Sequence, residues 1–169
     1  MDRVQEQPVD FEGWYVASHP RVVASVLLAT GNADLTRDAV DEAFMRALVR
    51  WDRVKEMDSP TGWTYKVALN AARRHERRRA LERRLLARRV PEATLPAPAG
   101  EAWAAVRDLP RQQRTVVVLR YVADLTQTQI ADVLGISRST VASTLDDAHR
   151  RLGRLLADDH LEEAEVRGG

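Results

Sequence analysis

The stretch Leu125 to Arg154, LTQTQIADVLGISRSTVASTLDDAHRRLGR, decides the fold. Ile130, Ala131 and Leu134 recur at helical spacing on one face, Gly135 can take the positive φ of a sharp turn, and Ser137 is placed to cap a second helix. Val141 and Leu145 of that second helix point back at the first, and the small Ala131 side chain lets the two approach closely. The spacing predicts a helix-turn-helix, a shape that docks on duplex DNA; the bland alternative is an antiparallel helix pair in an all-helical protein. The second helix is poor in positive charge. From Ser137 to Ala148 it contains one basic residue, Arg138, and two acids, Asp146 and Asp147, a weak match to phosphate.

Upstream of this unit, EAWAAVRDL predicts a short helix and Pro110 starts the next, with Val116, Val117, Leu119, Tyr121 and Val122 as the core on which the helix-turn-helix rests. Before that, PEATLPAPAG holds three prolines and a glycine and cannot continue a helix, so residues 90–100 read as a semi-rigid linker and a domain boundary. The resulting division is 8–89, linker 90–100, 101–157, and an acidic, frayed tail at 158–169 with the sequence DDHLEEAEVRGG.

The first unit is helical too, and no run alternates long enough to need a sheet, so the fold class is all-α with two small helical domains. A helix is predicted from Phe11 to Ala29, with Trp14, Val22, Val23, Val26 and Leu27 as apolar positions, a kink or break at Pro20, and Gly31 and Asn32 closing it. A second, Leu35 to Trp51, carries Leu35, Ala39, Ala43, Phe44, Ala47, Leu48 and Trp51 on a broad apolar face, with Asp38, Asp41, Glu42 and Arg46 elsewhere on its surface. After the loop RVKEMDSP, Ser59 as N-cap and Pro60 as first residue begin a third helix that reaches Arg88 and ends in RRHERRRALERRLLARR.

Charge is distributed unevenly along these units. The whole chain is +1, yet residues 1–59 carry 7 basic and 11 acidic side chains, a net −4; residues 60–89 carry 10 and 2, a net +8; residues 90–169 carry 9 and 12, a net −3. A basic stripe of this kind is the footprint of a polyanionic partner, the alternative being a solvated Arg-rich helix.

Catalytic readings find little support. The four histidines, His19, His75, His149 and His160, are scattered, there is no cysteine, no phosphate-cradling Gly-rich loop and no nucleophile elbow, so neither an enzyme, a cofactor nor a metal is expected. Asp41 and Glu42 are adjacent and point about 100° apart on a helix, whereas Asp38 and Glu42 share a face suited to solvent or a partner. A polar amino terminus, no apolar run near the roughly 20 residues of a membrane helix, and no cysteine suit a soluble protein of a reducing cytoplasm, without membrane insertion.

The third helix is better explained as a nucleic-acid surface. Arg73, Arg74, Arg77, Arg78, Arg83, Arg84, Arg88 and Arg89 cluster so that several guanidinium groups can track a phosphate backbone. Lys55, Met57, Trp63, Tyr65 and Asn70 precede or begin that run, a mix suited to receiving unstacked bases; alternatively Trp63 is core and Asn70 an ordinary helix residue.

Two DNA-facing modules joined by a proline-rich linker, the first preceded by an acidic helix, resemble the extracytoplasmic-function sigma factors of bacterial RNA polymerase, with region 2 and region 4. The motifs carrying the resemblance are DAVDEAFMRALVRWDRV at 38–54, SPTGWTYKVALNAARRHERRR at 59–79, and LPRQQRTVVVLRYVADLTQTQIADVLGISRSTVASTLDDAHRRL at 109–152. The resemblance implies an initiation factor that binds core polymerase and promoter DNA and helps open the duplex, with an anti-sigma factor as a further partner. The rival readings are a stand-alone helix-turn-helix regulator and a sigma-like interaction protein with weak DNA reading.

By the same resemblance, Asp38, Asp41, Glu42 and Arg46 dock on the polymerase, although relatives often have glutamine at the place of Asp41. The segment Lys55 to Thr61, with Trp63 and more firmly Asn70, captures flipped bases of the −10 element, while Arg73, Arg74, Arg77 and Arg78 hold its phosphates; many relatives carry aspartate where this chain has Arg74. The helix beginning at Ser137 enters the −35 element. Relatives commonly show T-V-K-S-R-L-x-R-A there, and this chain replaces three basic positions by Ala142, Thr144 and Asp147. At about 1 to 3 kcal/mol per lost contact that weakens binding, unless Ser139, Ser143 and Thr144, beside Ser137 and Thr140, read bases through hydroxyls while Arg120, Arg138, Arg150 and Arg151 handle phosphates.

Overall fold

In a computed structural model of the protein, residues 10–86 and 101–167 are described, and the regular structure among them is all α-helix. The predicted linker, 90–100, and Arg88 and Arg89 lie outside the described residues. Helix α1 spans Phe11–Thr30 and is capped by Asp10, whose Oδ1 accepts the Gly13 N–H at 2.8 Å. It runs through Pro20 without a break; this residue is exposed, so water can take the carbonyl left unpaired. Gly31 closes α1 at φ 71°, donating to the Leu27 carbonyl at 2.7 Å. Asn32, expected to close α1, instead opens α2 (Ala33–Val49) by accepting the Leu35 N–H at 2.8 Å. Thus α2 starts two residues earlier than its apolar pattern suggested, and it stops before Trp51, which begins the one-turn α3 (Trp51–Val54).

Helix α4 covers Pro60–Leu86 and starts as predicted: the Ser59 hydroxyl accepts the Gly62 N–H at 3.0 Å. It packs against α2 and α1 through small and branched side chains, with Val22 and Val26 of α1, Val40 and Ala43 of α2, and Ala68 of α4 all but completely buried. Tyr65 is wholly buried at the centre, its hydroxyl 3.2 Å from that of Ser25, and burial pushes the phenol's pKa up. At one end of this bundle Phe11, Trp14, Tyr15, His19, Phe44 and Trp51 form a chain of ring contacts with centroids 4.7 to 5.9 Å apart. Leu48 does not join the core as expected; it is 47% exposed, because the residues that face α1 and α4 are Val40, Ala43, Phe44 and Ala47.

The carboxy-terminal unit contains α5 (Glu101–Arg107), α6 (Arg111–Tyr121), α7 (Gln127–Leu134) and α8 (Arg138–Arg167). Its core includes Val106, Val116, Val118, Leu119, Ile130, Val133, Val141, Leu145 and Ala148. Tyr121, assigned to that core from sequence, is exposed at the end of α6, where its hydroxyl meets His149 Nε2 at 2.8 Å. Helix α8 continues to Arg167 instead of fraying after 157, since Leu155 to Glu165 contains strong helix formers and no proline or glycine.

The two units share one apolar core. Helix α6 packs on α1 and α7 packs on α4, and an Arg111–Glu76 ion pair at 2.6 Å crosses the same seam.

Candidate nucleic-acid and polymerase interfaces

Asn70, Arg73, Arg74 and Arg77 recur at three- and four-residue spacing, so α4 carries them on one side, and all four are exposed. Their partners separate them. Arg74 is bidentate on Glu42, at 2.6 and 2.7 Å; Arg78 pairs with Glu82 at 2.9 Å and Arg79 with Asp38 at 3.0 Å. Arg73 and Arg77 line a cleft of about 520 Å³ at the seam, together with Glu76, Arg111 and Ile136. Trp63 is half-buried and, with Lys66, lines a second cleft of about 430 Å³ whose far wall is Thr126, Gln129 and Asp132 of the α7 end. Lys55 is exposed and pairs with Asp52 at 3.0 Å. The structure therefore leaves Asn70, Arg73 and Arg77 along one open side of α4, ties Arg74 to α2 and turns Trp63 toward α7.

On α2, Asp38 and Asp41 are exposed and Glu42 is half-buried. Glu42 is a hub for three cationic or titratable groups: Arg74, Arg46 at 2.8 Å and His75 at 3.2 Å. Burial opposes its charge, but the Arg74 hydrogen bond and the charges of Arg74, Arg46 and His75 prevail, holding the carboxyl below its ordinary value. Two of the predicted polymerase contacts, Asp38 and Glu42, are thus tied to α4. Beside them, Met45, Leu48 and Val49 are 60%, 47% and 79% exposed on the same outer side of α2. The residue pattern carries the signal for this strip, since Met45 and Val49 fall outside the apolar face that packs on α4.

The helix-turn-helix forms as its spacing predicts. Thr126 and Gln129 make a reciprocal capping box, Gly135 turns at φ 68°, and the Ser137 hydroxyl accepts the Thr140 N–H at 3.0 Å. The Ser137 hydroxyl also contacts those of Ser139 at 2.8 Å and Thr140 at 2.7 Å, while the Ser143 hydroxyl donates to the Thr140 carbonyl at 3.1 Å. Ser137, Arg138, Ser139 and Ser143 are exposed, and Thr140 and Thr144 are half-buried. Arg120 donates to the Leu125 carbonyl at 3.0 Å, steadying the α6–α7 turn in which Asp124 adopts φ 56°. Arg150 pairs with Asp147, and Arg151 is exposed.

Residues 4–82 match the family described as Sigma-70 region 2, and residues 99–152 match Sigma-70, region 4. The RNA polymerase sigma-E factor of Streptomyces coelicolor is 31% identical over 130 residues, covering 70% of this chain and 68% of that protein. The chain belongs to the sigma-70 family. The extracytoplasmic-function sigma factor EcfG of Rhodopseudomonas palustris is 26% identical over 155 residues, covering 88% of this sigma factor and 86% of its own length. Among solved structures, the sigma factor RpoE of Bartonella quintana, in complex with the anti-sigma factor NepR, superposes with a TM-score of 0.75 at 22% identity, covering 88% of this chain and 97% of that one. CnrH, in complex with the cytosolic domain of CnrY, gives 0.59 at 20% identity, covering 88% of each chain. These two likenesses show the same fold. This sigma factor has, among its described residues, no helix long and apolar enough to cross a membrane.

Proposed function

We propose that this sigma factor binds core RNA polymerase, leads it to promoters and helps open the duplex, leaving the chemistry to polymerase and acting in the cytoplasm. The observation that carries this is the presence in one chain of an exposed Asn70–arginine strip on α4 and a helix-turn-helix. Asn70 and the Lys55 to Thr61 segment receive unstacked non-template bases of the −10 element, and Arg73 and Arg77 bear on its phosphates. Arg74 serves chiefly to hold Glu42. Polymerase docks on the outer side of α2, where Asp41 and Arg46 lie beside the apolar strip of Met45, Leu48 and Val49. An anti-sigma protein is a further partner, by likeness to RpoE with NepR and CnrH with CnrY.

The start of α8 acts in the −35 element as a clamp of modest affinity. The hydroxyls of Ser137, Ser139, Thr140 and Ser143 are already bonded to one another or to backbone, and its first three turns offer Arg138 alone as a cation. Run-off transcription with purified core enzyme on a genomic fragment library tests the proposal: promoter-specific transcripts that depend on the added chain are expected. Folded protein that is not retained by core enzyme refutes it. Retention without promoter opening favours the reading supported by the base-poor recognition helix, a sigma-like interaction protein with weak DNA reading.

A further inference from the structure

Trp14 touches both ends of the segment that leads into α4. Its ring lies 4.8 Å from that of Trp51, which opens α3, and its indole N–H donates to Thr61 Oγ1 at 3.3 Å in the first turn of α4. Phe11 and Phe44 hold the ring from other sides, at 5.7 and 5.3 Å, and Trp14 is 9% exposed. Between its two contacts runs Lys55 to Ser59. This segment is fixed at its start by the Lys55 N–H on the Trp51 carbonyl at 2.9 Å and at its end by the Ser59 cap on Gly62. Gly62 leaves room for that cap, since a Cβ there would lie 2.6 Å from the Ser59 hydroxyl.

A residue that merely fills the space beneath α3 needs no donor; leucine or phenylalanine would serve. A tryptophan there must place its N–H on an acceptor, and the acceptor is Thr61, 47 residues away in sequence. We propose that Trp14 is a positioning residue: by gripping Trp51 and Thr61 together it sets the separation of α3 from α4, and with it the shape in which Lys55 to Ser59 and the first turn of α4 receive an unstacked base. The inference rests on the base-capture role given to that segment above. Trp14 itself does not touch DNA in this scheme.

The test uses holoenzyme assembled from core polymerase and the full chain, and as probe a labelled single-stranded oligonucleotide with the non-template sequence of a promoter that this holoenzyme transcribes. Trp14→Phe keeps the aromatic packing and removes the donor; Thr61→Val removes the acceptor. Each single substitution should weaken oligonucleotide binding roughly three- to tenfold, the worth of one partly buried hydrogen bond. The double variant should be no weaker than either single one, and Thr61→Ser, which retains the acceptor, should recover most of what Thr61→Val loses. Holoenzyme assembly, measured in parallel, should follow wild type. A purely structural role would give binding losses that merely track assembly or melting temperature, and that result overturns the inference. So does wild-type affinity in Trp14→Phe. If Trp14→Phe fails to fold, Trp14→Leu takes its place in the cycle with Thr61→Val: a double variant no weaker than either single one supports the inference, and additive losses, which would mean that Thr61 meets the oligonucleotide without Trp14, overturn it. Failure of the wild-type holoenzyme to bind the oligonucleotide removes the base-capture role and this inference with it, whereas wild-type binding with an indifferent Trp14→Phe removes this inference alone.

Discussion

Replacing Glu42 by glutamine separates two roles for the acidic helix. The carboxylate is 24% exposed and meets Arg74, 48% exposed, through two short hydrogen bonds, and Arg46, 49% exposed, at 2.8 Å. Half-exposed pairs of this kind contribute about 0.3 to 1 kcal/mol each after screening and side-chain ordering. The neutral amide also leaves Arg46 and Arg74 repelling one another with no anion between them. Together these terms predict a loss of about 1.5 kcal/mol, which for a chain of this length lowers Tm by about 3–6 °C. The sign with pH follows from the lowered carboxyl pKa. The stabilisation is present above the unfolded-state value near 4.5 and is lost as pH falls through the lower folded value, so wild type and Glu42→Gln should begin to converge as pH drops below about 4.5 and meet only below the folded value. Thermal denaturation from pH 3 to 8 measures this, and core-polymerase affinity measured at neutral pH completes the comparison. An undiminished Tm combined with a large loss of polymerase binding would refute the reasoning, for Glu42 would then be a docking contact and not an internal strut.

Thr126→Ala removes half of the α7 capping box and should cost about 1 kcal/mol, read as faster amide exchange at Gln129 together with a lower Tm. Introducing Lys at Ala142 and Arg at Thr144 should tighten binding to −35 duplex DNA and steepen the slope of log K against log salt by about 2; an unchanged slope would mean that this part of α8 does not lie against the duplex. Arg111→Glu sets two acids against each other across the seam and should cost about 1 kcal/mol in denaturant unfolding, with Glu76→Arg in the same chain restoring most of it. Absence of that rescue would show that the pair contributes nothing to holding the two units together.

Ser59 and Pro60 at the start of α4, Gly135 at the turn and Ser137 at the head of α8 each act through atoms within a few residues, so their roles are printed in local order. Boundaries slipped where two signals competed. Asn32 can end one helix or begin the next, and only its bond to Leu35 chooses. Tyr121 and Leu48 have apolar bodies at positions whose spacing permits burial, yet the neighbouring helices pack on other faces and leave both exposed.

The candidate site shows the same division. The family motifs, the helical class and the concentration of positive charge between residues 60 and 89 were determined by sequence alone, because each depends on residue type and spacing. Which arginines are available was decided by tertiary structure. Arg74 and Arg73 are neighbours in the chain, but packing of α4 on α2 sends one to Glu42, 32 residues away, while the packing of α7 on α4 leaves the other at the seam. Likewise Trp14 meets Thr61 only because α1 crosses beside the first turn of α4. Ion pairs and indole hydrogen bonds reach only a few ångströms, so their partners are chosen by which helices touch, and that contact is a property of the assembled core.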